Sequence, residues 1–201
     1  LNISQMINAV ILSKDRACQL DLLIKSLSKN CKNLFDIKVI YESSSNSFRA
    51  GYDKLKEDIY YRNRFGLDFP IRWYERTKSN LSEDILALLN NSRDLTCIFN
   101  DENVVYSGLP SYRSILNLFR QEPVSSLSLR LGDNGHIYTT KLIDYILSTT
   151  EIKNIEEFEL SCNQSLYSGD FNSMIPPFMT CFKKSVLVNN SATAISDDND
   201  V

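Results

Sequence analysis

The residues best suited to chemistry in this chain are Asn100, Asp101, Glu102 and Asn103, which end the largely apolar run LTCIF (95–99) before Val104 and Val105 resume it. Two adjacent carboxylates between two carboxamides are a dense set of oxygen donors, the kind a hard divalent cation takes. Mg²⁺ commonly uses one or two carboxylates and fills its other positions with water and phosphate oxygens, so a full protein cage is unnecessary. Such an ion would neutralise charge developing on a departing diphosphate, while a separate carboxylate removes a proton from an attacking hydroxyl. Taken alone, the same tetrapeptide reads as a solvated turn, because Asn and Asp bond readily to their own backbone. The elements that deliver it decide between the two.

Those elements alternate. The run INAVIL (7–12) ends at Ser13, Lys14, Asp15 and Arg16, and Leu20, Leu23, Ile24 and Leu27 follow at helical spacing, with Asp15 as the expected N-cap. The run IKVIY (37–41) ends at Glu42, Ser43, Ser44 and Ser45, before a helix carrying Phe48, Tyr52, Leu55 and Ile59 on one face. Residues 60–70 read as a polar and aromatic connection, and IRWY (71–74) as a third strand with Trp73 in the core. Asn80 and Glu83 make a capping-box-like start to a helix buried through Leu81, Ile85, Leu88 and Leu89. The run 95–99 is therefore the fourth strand of a strand–turn–helix series, which predicts a mostly parallel sheet. Ligands in such sheets bind outside the carboxyl ends of the strands, so the acidic group falls on the ligand-bearing edge.

Further on, Tyr112, Ile115, Leu116 and Phe119 mark a helix closed near Pro123, and Leu127, Leu129 and Leu131 alternate with polar residues as a half-buried strand. A turn through Gly132, Asp133, Asn134 and Gly135 leads to His136–Tyr138 and a helix with Leu142, Ile143, Ile146 and Leu147. Asn154 with Glu157 starts a short acidic helix, and 179–188 (MTCFKKSVLV) reads as one final apolar segment. We read residues 1–190 as one domain and 191–201 as an acidic, mobile tail.

Composition narrows the classes. With a net charge of −3 and scattered Lys and Arg, the chain has no stripe for DNA or RNA. The five cysteines show no Cys-x-x-Cys or His–Cys spacing for zinc, and their contexts suit reduced thiols in a cytoplasmic protein, free or at the membrane periphery. No run reaches the length of a membrane span, and no leader is expected. Asn2, Asn80, Asn90, Asn163 and Asn189 head Asn-x-Ser sequons of the sort an Asn- and Ser-rich chain produces by chance. The six glycines form neither a dinucleotide fingerprint nor a P-loop, no Gly-x-Ser-x-Gly elbow is present, and the single histidine, His136, reads as structural.

With these residues in place, the sequence resembles the glycosyltransferases of the GT-A fold. The resemblance rests on Ser13-Lys14-Asp15-Arg16 before a Leu-rich helix, on Glu42 and its serines after the second strand, and on IFNDENVVY (98–106) where the family has Asp-x-Asp. It implies a Rossmann-like α/β sandwich with a mostly parallel central sheet flanked by helices. It also implies hexosyl-type transfer of a sugar from a nucleoside diphosphate donor to a hydroxyl acceptor, a glycan or another alcohol, assisted by Mn²⁺ or Mg²⁺. Asp101, with Asn103 or Glu102, would then meet metal and donor phosphate, and Glu42, Ser43 and the turn of Ser13, Lys14 and Arg16 would meet the nucleoside. Asn103 departs from the motif, being a neutral oxygen donor in the second acidic position. Asp133 is the nominee for catalytic base, with Glu156 and Glu157 behind it. Asn103 and the absence of a clear base favour a competing expectation, a non-catalytic α/β nucleotide-sugar-binding or interaction domain. A nucleotidyltransferase or phosphatase-like metal enzyme would need a second acidic strand end, for which Glu42 is the candidate.

Overall fold

The computed structural model describes residues 5–64, 71–76, 80–89, 93–130, 135–168 and 178–189. The predicted series is present: β1 (Ile7–Lys14), α1 (Ala17–Asn30), β2 (Phe35–Glu42), α2 (Asn46–Arg64), β3 (Ile71–Glu75), α3 (Leu81–Leu88) and β4 (Leu95–Asn100). A short β5 (Asn103–Val105), α4 (Tyr112–Gln121), β6 (Val124–Ser128), β7 (His136–Thr139), α5 (Thr140–Thr149), α6 (Ile155–Ser168), β8 (Phe178–Cys181) and β9 (Leu187–Asn189) follow. Seven strands form one sheet in the order β3-β2-β1-β4-β7-β6-β8. Pairing is parallel from β3 through β4, while β7 runs antiparallel to both β4 and β6 and β8 returns parallel to β6. This is an α/β, Rossmann-like fold with a mostly parallel central sheet and flanking helices.

Strand parity divides the core. Ile7, Ala9 and Ile11 share one face with Ile37, Val39, Tyr41, Leu95, Cys97 and Phe99, and pack with Leu20, Leu23 and Leu27 of α1 and Tyr52, Leu55 and Ile59 of α2. Val10, Ile40, Ile98 and Tyr138 face the other way, against Leu81 and Ile85 of α3, Leu142, Ile143 and Ile146 of α5, and Phe158 of α6. A strand buried on both faces has no polar phase, which is why the first, second and fourth strands read as continuous apolar runs. Trp73 packs against this core, its ring edge-to-face with Tyr41 at 6.3 Å between centroids.

Several expectations need correction. Asp15 does not cap α1. It sits in the left-handed region at φ 59°, and its Oδ1 accepts from the Ser44 N–H at 2.7 Å, tying the β1 turn to the β2 turn. Arg16 takes the N-cap position without a side-chain cap bond. Phe48 is exposed, not buried, because α2 begins beyond the edge of the core, which it meets one turn later at Tyr52 and again at Leu55. Residues 60–64 continue α2 instead of opening a connection. All of β6 is buried, since its Ser-bearing face is covered as well as its Leu127 face. The helix after Asn154 runs 14 residues. Finally, 179–188 is not one segment: β8 pairs with β6, and β9 forms a separate two-stranded sheet with β5. Residues 191–201 lie outside the described residues. No helix among the described residues is long and apolar enough to cross a membrane.

Candidate functional site

The carboxyl ends of β1, β2 and β4 meet at one edge of the sheet, and the turns after them carry the predicted residues. Their backbones are laced together: Asp15 N–H donates to Glu42 O at 3.1 Å and Asp101 N–H to Leu12 O at 3.1 Å. Two groups form there. In the first, Ser13, Lys14 and Glu42 line a cavity of about 240 Å³ with Leu12, Ile40, Tyr41, Arg76, Leu81, Lys153 and Asn154. Lys14 Nζ lies 2.9 Å from Glu42 Oε1, and Arg76 Nη1 3.4 Å from Glu42 Oε2, so Glu42 is held between two cations. Leu12, Ile40 and Leu81 give the cavity an apolar wall, and Lys153 adds a third cation from beyond α5. Apolar walls with a few placed polar groups are the usual make-up of a small-molecule site. Ser43 is half-buried and is not among the lining residues.

The second group lies beside the first and is joined to it through Ser13. Asp101 is 3% exposed. Burial raises its pKa above the ordinary carboxylate value, against the opposing pull of the Ser13 hydroxyl, the Arg16 guanidinium and the Lys14 backbone N–H. Ser13 Oγ lies 2.7 Å from the Tyr52 hydroxyl, which accepts from the Arg16 backbone N–H at 3.1 Å. Either hydroxyl of the Ser13–Tyr52 pair can donate to the other. The Arg16 guanidinium donates to Glu102 Oε1 and stands 3.8 Å from Asp101 Oδ1.

Asn103, expected as a metal oxygen, is placed otherwise. Its Oδ1 accepts from the Asn100 N–H at 2.9 Å, closing the turn, and its Nδ2 donates to Asn189 Oδ1 at 2.6 Å across the β5–β9 sheet. At 2% exposure its amide is committed to the fold. Among the described residues no three His, Cys, Asp or Glu side chains converge to hold a metal. With Arg16 across both carboxylates and Asn103 turned inward, the donor set as arranged does not fit a divalent cation. Asp133 lies outside the described residues, and Glu157 Oε2 accepts from the Lys153 N–H at 2.9 Å as part of the α6 start.

Sequence reasoning missed Tyr52 as part of the site, Arg76 and Lys153. Tyr52 satisfied the apolar phase of α2, so its hydroxyl drew no notice. Arg76 directly follows the third strand and carried the same strand-end signal as Glu42. Lys153 comes from far along the chain and had no local signal. Its position is set by Ser82, whose hydroxyl donates to Thr150 O at 3.0 Å and accepts from Ile152 N–H at 2.9 Å, clamping the segment to α3. A larger cavity of about 350 Å³ opens at the opposite end of β4, where Arg120 and Asp94 pair at 3.5 Å. It is at the amino end of that strand, away from the edge where parallel sheets bind ligands.

No protein-family model matches this sequence, and no curated protein sequence matches it. Solved structures do resemble it. S. aureus TarS, residues 1–349, superposes with a TM-score of 0.60 over 90% of this chain and 60% of that one, at 13% identity. The mannosyltransferase PcManGT from Pyrobaculum calidifontis, in complex with GDP-Man and Mn²⁺, gives 0.53 at 10% identity, over 87% of this chain and 56% of that one. A cytidylyltransferase from Leptospira borgpetersenii gives 0.51 at 9% identity, over 92% and 82%. The chain has a GT-A-like fold. It spans about 60% of the TarS segment, which has also been solved with UDP-GlcNAc. At these identities the likeness carries the fold, in which nucleotide-sugar and nucleotidyl transferases both occur.

Proposed function

We propose that this chain binds a nucleoside diphosphate sugar at the carboxyl edge of β1, β2 and β4 and transfers the sugar, a hexosyl-type unit, to a hydroxyl acceptor. The observation that carries this reading is the adjacency of the Leu12–Ile40–Leu81 cavity and the Asp101–Glu102–Arg16 group on one edge of a GT-A-like sheet. The cavity suits a nucleoside: apolar walls for a base, with Lys14, Glu42, Arg76 and Lys153 for its polar atoms. Arg16 and the start of α1 lie where the diphosphate would pass toward Asp101. Asp133 is our nominee for the base that takes the acceptor's proton. Mn²⁺ or Mg²⁺ as the assisting ion draws support from the manganese in the mannosyltransferase neighbour. The residues of this chain, with a guanidinium between the two carboxylates, do not favour it.

The second reading, a nucleotide-sugar-binding domain without turnover, is favoured by the inward amide of Asn103. Calorimetric titration with UDP- and GDP-sugars, in EDTA and in Mn²⁺, tests both. Binding of at least one donor is expected, and silence with every common donor under both conditions sinks the proposal. Where a donor binds, sugar transfer or donor hydrolysis that vanishes in Asp101→Ala separates the enzyme from the binding domain.

A further inference from the structure

The carboxylates at the end of β4 already hold a cation of the chain's own. We propose that Arg16, oriented by Glu102 and Asp101, is the group that binds the donor's diphosphate, so that binding needs no divalent ion; this rests on the donor-site reading above. Asp101 and Glu102 are then positioning residues for the guanidinium, not metal ligands.

Four features meet at this point. The guanidinium touches Glu102 directly and Asp101 at 3.8 Å, yet its side chain is 40% exposed, so one edge is fixed while other N–H groups face outward. A planar guanidinium has five donors in a rigid fork, and phosphate oxygens match that fork in paired bonds. Its root is fixed as well, because the Arg16 N–H donates to the Tyr52 hydroxyl, which is itself bonded to Ser13. Directly after Arg16, α1 begins with no side-chain cap and no acidic residue in its first turn. The free N–H groups and the helix dipole there favour an anion beside the same guanidinium.

A dication at the strand end would have to displace Arg16 from both carboxylates and find a third oxygen where Asn103 faces the β5–β9 sheet. The other candidate phosphate cation of the turn, Lys14, is engaged with Glu42 at 2.9 Å. The sequence placed Arg16 with the nucleoside and gave the phosphates to a metal. The structure puts its charge at the position where a metal was expected.

The test is titration of UDP and GDP, and of UMP and GMP, into wild type, Arg16→Gln, Arg16→Lys and Glu102→Gln, each in EDTA and in Mn²⁺. In wild type, diphosphate binding in EDTA should match that in Mn²⁺ within about threefold. Arg16→Gln should weaken it by about tenfold or more and narrow the preference for diphosphate over monophosphate, the loss expected for a charge-assisted contact. Arg16→Lys should fall between, and Glu102→Gln should lower the same preference severalfold without creating a need for Mn²⁺. Unchanged binding in Arg16→Gln, or wild-type binding that appears only with Mn²⁺, overturns the assignment and leaves the donor site standing. No binding of any nucleotide under either condition overturns both. If Arg16→Gln melts early, Arg16→Lys, which keeps the charge and loses the fork, carries the comparison against wild type.

Discussion

Asn103 stands where the sequence pattern asks for a second acid, and the obvious repair is Asn103→Asp. The structure argues against that repair. The side chain is 2% exposed, and its Nδ2 donates to Asn189 Oδ1 at 2.6 Å. An aspartate would replace that donor with a buried charge facing another oxygen, a change that costs about 2–4 kcal/mol. We therefore expect Asn103→Asp to lower the unfolding midpoint in urea and to gain no Mn²⁺ binding by calorimetry. Undiminished stability together with new metal binding would show the residue faces outward. The case also marks what one strand end reveals. The apolar run and its abrupt acidic close placed Asp101 correctly on the sheet edge. The chain then reverses, and Asn103 already belongs to β5, outside the main sheet. A spacing rule assumes that both positions stay on one edge, and the turn breaks that assumption. Arg16 was named from the β1 turn as a nucleoside contact, but its pairing was hidden, since Glu102 lies 86 residues away and no local pattern couples the two.

The strands carry a second feature that run lengths did not disclose. At the amino end of the sheet, Lys38 of β2 is 1% exposed, donates to Asn8 Oδ1 of β1 at 3.0 Å and lies 3.6 Å from Asp36. Asn8 in turn donates to Thr96 of β4 at 3.3 Å, and Thr96 meets the Thr140 hydroxyl of α5 at 2.9 Å. This polar row crosses the sheet beneath the α5 layer. Burial pushes the Lys38 pKa down to about 8, with Asp36 opposing and Arg72 and Arg93 adding to the fall. The sign follows from linkage: between the folded value and the ordinary lysine value the unfolded chain binds the extra proton, so stability rises with pH in that window. Wild type should gain on the order of 3 kcal/mol relative to Lys38→Met between about pH 7.5 and pH 10. Urea denaturation across that range checks it, and a constant difference would mean Lys38 titrates as an exposed lysine. Elements with a single strong period were readable from sequence, as the first four strands and their helices show. Those that failed had conflicting cues. In 179–188 the apolar continuity of MTCF and SVLV hid a change of sheet across Lys183 and Lys184. In 60–64 the aromatic and basic residues suggested a loop, although no helix-breaking residue occurs before Gly66.

The parallel half of the sheet and the segment after α5 share the candidate cavity, although they lie far apart in sequence. Leu12, Ile40 and Glu42 line it from β1 and β2, Arg76 and Leu81 from the end of β3 and the start of α3, and Lys153 and Asn154 from the segment between α5 and α6. The Ser82 hydroxyl links two of these walls by bonding both Thr150 O and Ile152 N–H. A nucleotide seated there would contact all three walls at once, and a ligand that binds only the closed arrangement stabilises it by mass action. Local opening should then become rarer in all three walls, not only at the strand ends. Hydrogen exchange with and without saturating UDP or GDP should show added protection in residues 12–16, 40–44, 81–84 and 150–157. The β5–β9 pair and α4, which do not line the cavity, should exchange as before. Protection confined to 93–95 and 139–144 would move the ligand to the larger cavity at the amino end of β4. Protection limited to 12–16, with 150–157 unchanged, would remove Lys153 from the site and leave the β1 turn and Arg16 to hold the phosphates alone.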